Sequence, residues 1–428
     1  MIKRTPTHPN RLLLLLATIN FFNFYDRQLL AALAEPIKHH FALSDTQLGG
    51  LSSAFELVYP FAALALGLAA DRWVRNRIVA VGVTIWSLAT MATGAAGSYL
   101  ALALARAGVG LGCGGYGPAA MALLSDAFPS SRRSRIVAIN DIGLMLGASL
   151  GTILGGLLGQ LLGWQAPFLI AGLPGLVLGV LAWRVREPRR GASEYDTLGI
   201  DPAGAGTEPR PSISLATVRQ LLAVRTLRVV YAADVLIAFA TGGLIFWLPS
   251  FLVRLHGFSV RQAGLWAGAL QVVTGLIGIL VGAWIADKWT ERHPGGRMLT
   301  LGTGFLLGTP LAILAILASN VILFGVAAGL AVICYTVYFP CLTPQIHDVT
   351  RPGLRATALA INILLGHVLG NFISAPFIGA LSDLTGDLRL ALLVVPAVAL
   401  LGGLVAFLGV RSAGDDRKRM LDSLENNA

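Results

Sequence analysis

The stretch "GLAADRWVRNR", residues 67–77, places one acidic and three basic side chains between two long apolar runs. A similar stretch, "AWIADKWTER" at 283–292, stands between two apolar runs in the second half of the chain. A second pair is also alike, with "RRSRIVAIN" at 132–140 and "GLRATALAIN" at 353–362. Because the order of these stretches is the same in both halves, we predict a chain built from two similar units.

The composition predicts a membrane protein. The 428 residues are 55% hydrophobic and 13% charged, whereas about a quarter of a soluble domain is charged. A bilayer admits helices or closed barrels, and barrel strands are shorter and alternate in polarity. We therefore predict an all-α membrane protein with twelve transmembrane helices. The apolar runs of bilayer-spanning length are 12–34, 47–70, 78–97, 99–122, 136–161, 165–183, 227–253, 262–286, 298–318, 320–343, 357–382 and 388–410.

The basic residues predict the orientation of these spans. Of the 32 Lys and Arg, four lie in loops on one side (Lys38, Arg254, Arg261 and Arg389) and two lie within spans. The remaining 26 lie in the loops of the other side and in both tails. Basic residues collect on the cytoplasmic side of membrane proteins. The net charge of +10 thus reports topology rather than a nucleic-acid partner, and both termini are predicted to be cytoplasmic.

The N-terminal run has two interpretations. Basic residues precede it, and Ala32-Leu33-Ala34 resembles the cleavage site of a signal peptide. The pair Asp26-Arg27 interrupts the apolar region, which is also too long for a signal, and both features favour a retained first span.

A polar linker divides the twelve spans six and six. We predict an N-terminal six-helix half over 1–183, a cytoplasmic linker over 184–226, a C-terminal six-helix half over 227–410 and a cytoplasmic tail over 411–428. Within the linker, "SISLATVRQLLAV" at 212–224 has apolar residues at near-helical spacing. This spacing predicts a short helix on the membrane surface, and a linker without regular structure is the alternative.

The motifs resemble those of a known superfamily. Gly67-x-x-x-Asp71-Arg72-x-x-Arg75-x-Arg77 between the second and third spans, with Arg106-x-x-x-Gly110-x-Gly112 in the fourth, is similar to the signatures of the major facilitator superfamily. The resemblance covers the whole chain and implies two pseudo-symmetric halves around a central substrate site.

Three longer stretches resemble one family of that superfamily, the Spinster family. They are "NFYDRQLLAALAEPIKHHFALSDTQLGGLSSAF" at 23–55, "RAGVGLGCGGYGPAAMALLSDAFPSSRRS" at 106–134 and "TGGLIFWLPSFLVRLHG" at 241–257. This resemblance implies a proton-linked carrier of lysophospholipids or sphingosine phosphate. The organic anion:cation symporters are similar around the first, second and fourth spans, which implies sugar acids or related carboxylates instead.

Charged residues within spans are the candidate functional residues, because a charge at the centre of a membrane helix costs about 2.5–3.5 kcal/mol. In the first span, Asn20, Asn23 and Arg27 share one helical face, with Asp26 at its edge. Such a face predicts the wall of a cavity, and a structural ion pair is the alternative. We take Asp26 as a proton-coupling candidate and Asn23 and Arg27 as substrate-binding candidates.

Arg106 is the second buried cation. Its planar fork of donors suits a phosphate or a carboxylate, so we predict that it binds the substrate; pairing with Asp26 is the alternative. The two similar families usually have a glutamate seven residues further on, which is thought to carry the coupling proton. This chain has Cys113 there, and a buried thiol is a poor proton carrier at neutral pH.

Other acids within spans are candidates for the proton that Cys113 does not carry. Glu56 in the second span and Asp141 in the fifth are proton-coupling candidates. Asp234 in the seventh span is predicted to be a structural or gating acid. His367 is the only histidine at mid-span, and both a packing role and a proton site fit it.

Charges at the cytoplasmic helix ends are predicted to act as gates that latch the two halves. These candidates are Asp71, Arg72, Arg75 and Asp287, together with Gly67 of the same motif. In the fifth span, glycines recur every four residues from Gly143 to Gly159, which predicts close helix packing.

Aromatic residues complete the predicted cavity. Tyr25, Tyr59, Tyr116 and Trp247 are substrate-binding candidates, although aromatic side chains also anchor helix ends at the membrane interface. The first half holds the basic anchors and the spans of the second are almost uncharged. This asymmetry suits an amphipathic anion.

The sequence therefore predicts a monomeric secondary transporter in the bacterial inner membrane, with a small-molecule or lipid substrate, contacts to membrane lipids and no nucleic-acid partner. The predicted substrate is a lysophospholipid or a sphingosine-phosphate-like lipid, and protons are the candidate coupling ion. The alternatives are a symporter of small hydrophilic anions such as sugar acids, a multidrug exporter, or a membrane sensor that does not transport. No nucleophile–base pair, phosphate loop or metal cluster is present in the sequence pattern, so neither an enzyme nor a cofactor or metal is predicted.

Overall fold

The computed structural model describes residues 9–129, 132–188 and 215–425, and every regular element among them is a helix. These helices are rich in apolar side chains. Each helix also satisfies its own backbone polar groups, as the interior of a bilayer requires. The helices of the N-terminal part are α1 (Pro9–Ala32), α2 (Ala34–Phe41), α3 (Asp45–Arg72), α4 (Arg75–Gly94), α5 (Tyr99–Gly114), α6 (Tyr116–Ala127), α7 (Arg133–Leu162) and α8 (Gln165–Arg184).

The C-terminal part continues in the same way after the linker. Its helices are α9 (Leu215–Ala223), α10 (Arg225–His256), α11 (Val260–Arg292), α12 (Gly296–Leu317), α13 (Val321–Thr336), α14 (Phe339–Asp348), α15 (Arg355–Leu365), α16 (Phe372–Thr385), α17 (Leu388–Leu392) and α18 (Val394–Glu425). A π-helical turn, Gly366–Asn371, joins α15 to α16. Helix α9 lies inside the stretch 212–224 for which the sequence predicts a short helix; residues 189–214 of the linker lie outside the described structure.

Eleven helical segments among the described residues are long and apolar enough to cross a membrane. They coincide with the predicted spans from 47–70 onward. The remaining predicted span, 12–34, corresponds to α1, whose Asn20, Asn23, Asp26 and Arg27 lower its mean hydropathy.

The described residues form two compact units. The first lies within Met1–Leu43, Gly50–Glu208 and Phe258–Gly268, and the second within Ser44–Gly49, Pro209–Gly257 and Ala269–Ala428. Two long helices, α3 and α11, are therefore divided between the units. In each, a short N-terminal segment belongs to one unit and the rest of the helix to the other. The domain boundaries that we predict from the sequence stay a prediction.

Glycines hold α1 against α7 in the first unit. A Cβ at Gly143, Gly147 or Gly151 would lie 2.5, 2.1 or 2.4 Å from the carbonyl oxygen of Ala17, Phe21 or Tyr25, respectively. These contacts advance by four residues on both helices, so one face of each is in contact along its length. The four-residue glycine pattern is thus a helix-packing seam, and it fixes the helix that carries Asp26 and Arg27.

Candidate functional site

Polar residues of α1, α3 and α5 form a buried cluster inside the first unit. Asp26, Asn23, Arg106 and Cys113 are at most 3% exposed. The Arg106 guanidinium interacts electrostatically with Cys113, Asp26, Arg27 and Glu56. The structure thus brings together the charged candidates of the first, second and fourth spans, Asp26, Arg27, Glu56 and Arg106.

Asp26 is held by α4. The Thr90 hydroxyl donates a hydrogen bond to Asp26 Oδ2 at 3.3 Å, while Asp26 Oδ1 is buried without a hydrogen-bond partner. Two guanidinium nitrogens of Arg106, Nε and Nη1, are likewise buried without one. Asp26 and Arg106 attract each other electrostatically, but the part of the chain that the structure describes contains no hydrogen bond between them. The Arg106 donors therefore remain available for an anionic group.

An aromatic box surrounds Arg27. Its guanidinium carbon lies 4.9 Å from the ring centre of Phe24, 4.4 Å from that of Phe55 and 4.7 Å from that of Tyr59. Arg106 lies over the same Phe55 ring at 5.7 Å. A cation over an aromatic face is stabilised by the ring quadrupole. Phe55, which the sequence analysis does not select, therefore positions both cations.

Glycine allows this arrangement at α5. A Cβ at Gly110 would lie 2.8 Å from the Phe55 carbonyl oxygen, so Gly110 lets α5 pack directly on α3 one turn after Arg106. Gly117 differs, because a Cβ there would meet nothing within 4 Å. Gly110 therefore serves close helix contact, whereas Gly117 borders open space.

A hydrogen-bonded group lies next to the charged cluster. The Tyr116 hydroxyl donates to the Leu16 carbonyl oxygen at 2.7 Å and lies 2.9 Å from Asn140 Oδ1. Asn20 Nδ2 donates to the Asn140 carbonyl oxygen at 2.9 Å. Asp141, the neighbouring proton-coupling candidate, is exposed. Tyr116 is 4% exposed and therefore contributes to helix packing in this structure.

The remaining aromatic candidates lie on different helices, and Tyr25 interacts electrostatically with Asp26 of the charged cluster. Tyr25 is buried beside Phe21, with a ring separation of 6.0 Å. Trp247 belongs to the second unit, is fully buried, and donates from its indole nitrogen to the Ala375 carbonyl oxygen at 3.1 Å. Substrate binding by Tyr25, Tyr116 or Trp247 stays a prediction.

The gating candidates at the ends of α3 and α4 are described in part. The side chains of Asp71 and Arg72 lie outside the described structure, and Asp287 is exposed. Arg75 is buried and forms ion pairs with Asp126 and Glu187. Gly67 faces Pro118, whose side chain would be 3.4 Å from an added Cβ.

The same ion pair recurs in the second unit. Arg297, at the start of α12, pairs with Asp348 at the end of α14. The two partners are 51 residues apart, as are Arg75 and Asp126. Neither acid is predicted from the sequence, although this common spacing within an internal repeat is a signal that could have revealed both.

A second polar cluster, also missed, surrounds the first turn of α3 in the second unit. Both Arg254 Nη atoms donate to the Asp45 carboxylate at 2.7 Å, and Ser382 Oγ donates to it at 2.6 Å. The Asp383 carboxylate accepts from the backbone N–H groups of Asp45 and Thr46 at 2.8 Å. It therefore caps the helix N-terminus, where the free N–H groups favour an anion.

The second unit contains a small apolar cavity. It lies among α10, α11, α12, α13 and the last two helices and has a volume of about 40 Å³. Its lining includes Leu244, Leu248, Phe251, Phe324, Leu392 and Val395. An apolar cavity of this size can hold a small hydrocarbon group. Among the described residues no group of three or more His, Cys, Asp or Glu side chains is placed to hold a metal ion.

Helices of membrane-spanning length, an internal repeat and a buried cluster of opposite charges define a multi-pass membrane transporter. The chain belongs to the major facilitator superfamily, whose family model matches residues 16–368. The superfamily and the twelve-helix fold class that we predict from the sequence are therefore confirmed, and the relatives of this chain are transporters rather than enzymes.

Individual relatives extend the comparison. A protein described as an MFS-type efflux pump, from Mycolicibacterium smegmatis, is 32% identical over 402 residues, which cover 92% of this chain and 90% of that protein. Protein spinster homolog 3 from Danio rerio is 28% identical, over 94% of this chain and 85% of the relative.

A solved structure agrees with these sequence relatives. A bacterial homologue of the human lysosomal transporter Spinster, in an inward-facing and unoccupied conformation, has a TM-score of 0.85 and 25% identity. The match covers 97% of this chain and 99% of that one. The predicted resemblance to the Spinster family is thereby confirmed.

Proposed function

We propose that this transporter moves an amphipathic organic anion, such as a lysophospholipid or a sphingosine-phosphate-like lipid, by alternating access across the bacterial inner membrane. The observation that carries the proposal is Arg106, which is buried with two guanidinium nitrogens that lack hydrogen-bond partners. A buried donor without an acceptor costs about 1–3 kcal/mol or more. A phosphate or carboxylate that enters the cluster removes this cost and accepts charge-assisted hydrogen bonds.

Arg27 has a second role in this proposal. Three aromatic rings already surround its guanidinium, so it supplies a fixed positive field and shapes the site, while Arg106 makes the direct contact. Asn23 belongs to the same cluster and has a buried Nδ2 without a hydrogen-bond partner. It adds a neutral donor for the same anionic group.

The apolar cavity of the second unit supports an amphipathic rather than a fully hydrophilic substrate. Its lining side chains are hydrocarbon or aromatic, and about 0.8 kcal/mol is gained for each CH₂ group that leaves water. The named function of the Mycolicibacterium relative supports export as the direction. Export of a small compound that is not a lipid is the second candidate, and it rests on that relationship.

In this proposal Asp26 binds the coupling proton in the first unit, with Glu56 as the neighbouring acid, because the Cys113 thiol is a poor proton carrier at neutral pH. Both termini lie in the cytoplasm, and the protein works as a monomer. The cytoplasmic ends of α3, α4 and α11 carry the charges of the proposed gate, among them Arg75 and Asp287.

Counterflow in proteoliposomes tests the proposal. Vesicles loaded with unlabelled lysophosphatidic acid take up the labelled lipid, with glucuronate as a competing sugar acid. We expect competition by the lipid only, and Arg106→Ala to weaken uptake about 10- to 100-fold, the equivalent of losing a charge-assisted hydrogen bond. The exposed Arg411 provides a matched control, Arg411→Ala. Unchanged uptake by Arg106→Ala, or competition by glucuronate alone, contradicts the assignment.

A further inference from the structure

A third group of ionisable side chains lies inside the second unit. Asp234, on α10, is 8% exposed, and Asn362 Nδ2 on α15 donates to its Oδ2 at 2.9 Å. His367, in the π-helical turn, interacts electrostatically with Asp234. Tyr338, just before α14, interacts with the same carboxylate.

Helix packing holds this group together. A Cβ at Gly366 would lie 2.9 Å from Asp234 Oδ2, and one at Gly370 would lie 2.7 Å from the Val235 carbonyl oxygen. Two glycines four residues apart therefore press the π-helical turn against α10 at the level of the carboxylate. π-Helical turns occur frequently at functional sites.

The hydrogen bonds of this group are incomplete. Asn362 is 3% exposed, and its Oδ1 is buried without a hydrogen-bond partner. An amide oxygen accepts hydrogen bonds, so this atom can accept one from a protonated neighbour. A carboxyl group or an imidazolium provides such a donor, whereas a carboxylate and a neutral acceptor nitrogen do not.

Few other charged groups reach Asp234. Helix α18 presents Gly402 to this part of α10, where an added Cβ would meet Leu236, Ile237 and the Ala233 carbonyl oxygen. Helix α16 presents Ser374, which bonds to the Phe239 carbonyl oxygen. Among the described residues, the titratable groups that interact with Asp234 are His367 and Tyr338.

These observations restrict the ionisation states of the group. An isolated carboxylate inside a membrane bundle is costly, and it becomes acceptable when it binds a proton or faces a cation. Asp234 has both routes, because its own oxygen can take the proton or His367 can carry it as an imidazolium. The two side chains then share one proton.

We propose that Asp234 and His367 form a proton-binding site in the second unit, with Asn362 as the residue that positions the carboxylate. This site is separate from the Asp26 cluster, which lies in the first unit. As a coupling site it rests on the transport activity proposed above, but as a proton-binding site it does not. It would give the chain a titrating group in addition to Asp26. The first unit has Cys113 at the position where the similar families usually have a glutamate.

Infrared spectroscopy of the purified protein tests the site without any substrate. A pH jump produces a difference band from each carboxyl group that gains or loses a proton. We expect Asp234→Asn to remove one such component and His367→Gln to change its midpoint pH, while Asp26→Asn leaves it in place. The exposed Asp415 supplies the matched control, Asp415→Asn. A spectrum that Asp234→Asn does not change, or a midpoint that His367→Gln does not change, overturns the proposal.

Counterflow assays with and without a pH gradient distinguish the coupling role of this site from the transport activity itself. We expect Asp234→Asn to retain counterflow of lysophosphatidic acid at equal pH, within about two-fold of the unchanged protein, and to lose the acceleration by an imposed pH gradient. Retained acceleration overturns the coupling role. Absence of counterflow in the unchanged protein contradicts the proposed function, and the infrared experiment then decides the proton site by itself.

Discussion

The glycine seam between α1 and α7 makes a quantitative prediction. A Cβ at Gly147 would lie 2.1 Å from the Phe21 carbonyl oxygen, against 3.4 Å for an ordinary contact. Gly147→Ala must therefore separate the two backbones locally by about 1.3 Å, the difference between these distances. Because both helices are packed along their length, this overpacking costs about 3 kcal/mol, at the upper end of the observed range. The higher helix propensity of alanine offsets about 1 kcal/mol.

The net cost of about 2 kcal/mol corresponds to a decrease in Tm of about 4–8 °C for a unit of roughly 200 residues. Thermal unfolding in detergent measures this value. The same separation moves α1, and with it Arg27 and Asp26, so we also expect lower counterflow activity than the loss of stability alone would give.

Two related variants test the reasoning. Gly159→Ala places its Cβ 2.2 Å from Leu33 Cδ2, and this side-chain end can rotate away, so we expect a smaller decrease in Tm than for Gly147→Ala. Gly117→Ala meets nothing within 4 Å, and we expect a Tm equal to or slightly above that of the unchanged protein. If all three variants unfold at the same temperature, close backbone contact does not determine the stability of the glycine seam.

Three further predictions concern charges. Arg75→Gln and Arg297→Gln remove equivalent ion pairs, so each should lower the Tm by a similar amount, and the reasoning fails if only one does. Arg254→Gln leaves the buried Asp45 carboxylate with fewer donors; we expect a loss of about 2–3 kcal/mol and faster labelling of a cysteine introduced in the first turn of α3, and unchanged labelling would contradict this. Cys113→Glu adds a carboxyl group beside Arg106, so uptake should respond more strongly to a pH gradient than in the unchanged protein, and equal responses would argue against a proton site there.

The sequence predicts the helices well because each span is a property of local composition. The predicted run 165–183 corresponds to the helix Gln165–Arg184, and the predicted run 298–318 corresponds to the helix Gly296–Leu317. The break at Gly115, between α5 and α6, and the π-helical turn at Gly366–Asn371 were not predicted. Both lie inside continuous apolar runs and depend on what packs against the helix rather than on hydropathy.

The charged cluster could be predicted in its members but not in its geometry. Asp26, Arg27 and Arg106 stand out because charges are rare in spans, and the helical period places Asn23 on the same face. Phe55 could not be selected, since one phenylalanine in an apolar run resembles any other until the neighbouring helices are known. The Asp45–Arg254 pair joins residues 209 positions apart, and no local pattern connects them.

The buried polar atoms without hydrogen-bond partners differ between the two clusters. In the cluster around Arg106 they are mostly donors, on Arg106 and Asn23, together with one oxygen of Asp26. Buried donors favour an anion, since each needs an acceptor that the protein does not provide. In the second unit the atom without a partner near Asp234 is an acceptor, Asn362 Oδ1, and a buried acceptor favours a proton on the groups around it. Anion binding in one unit and proton binding in the other would assign the two ligands of a coupled transporter to separate sites, which is the arrangement that the Arg106 and Asp234 variants distinguish.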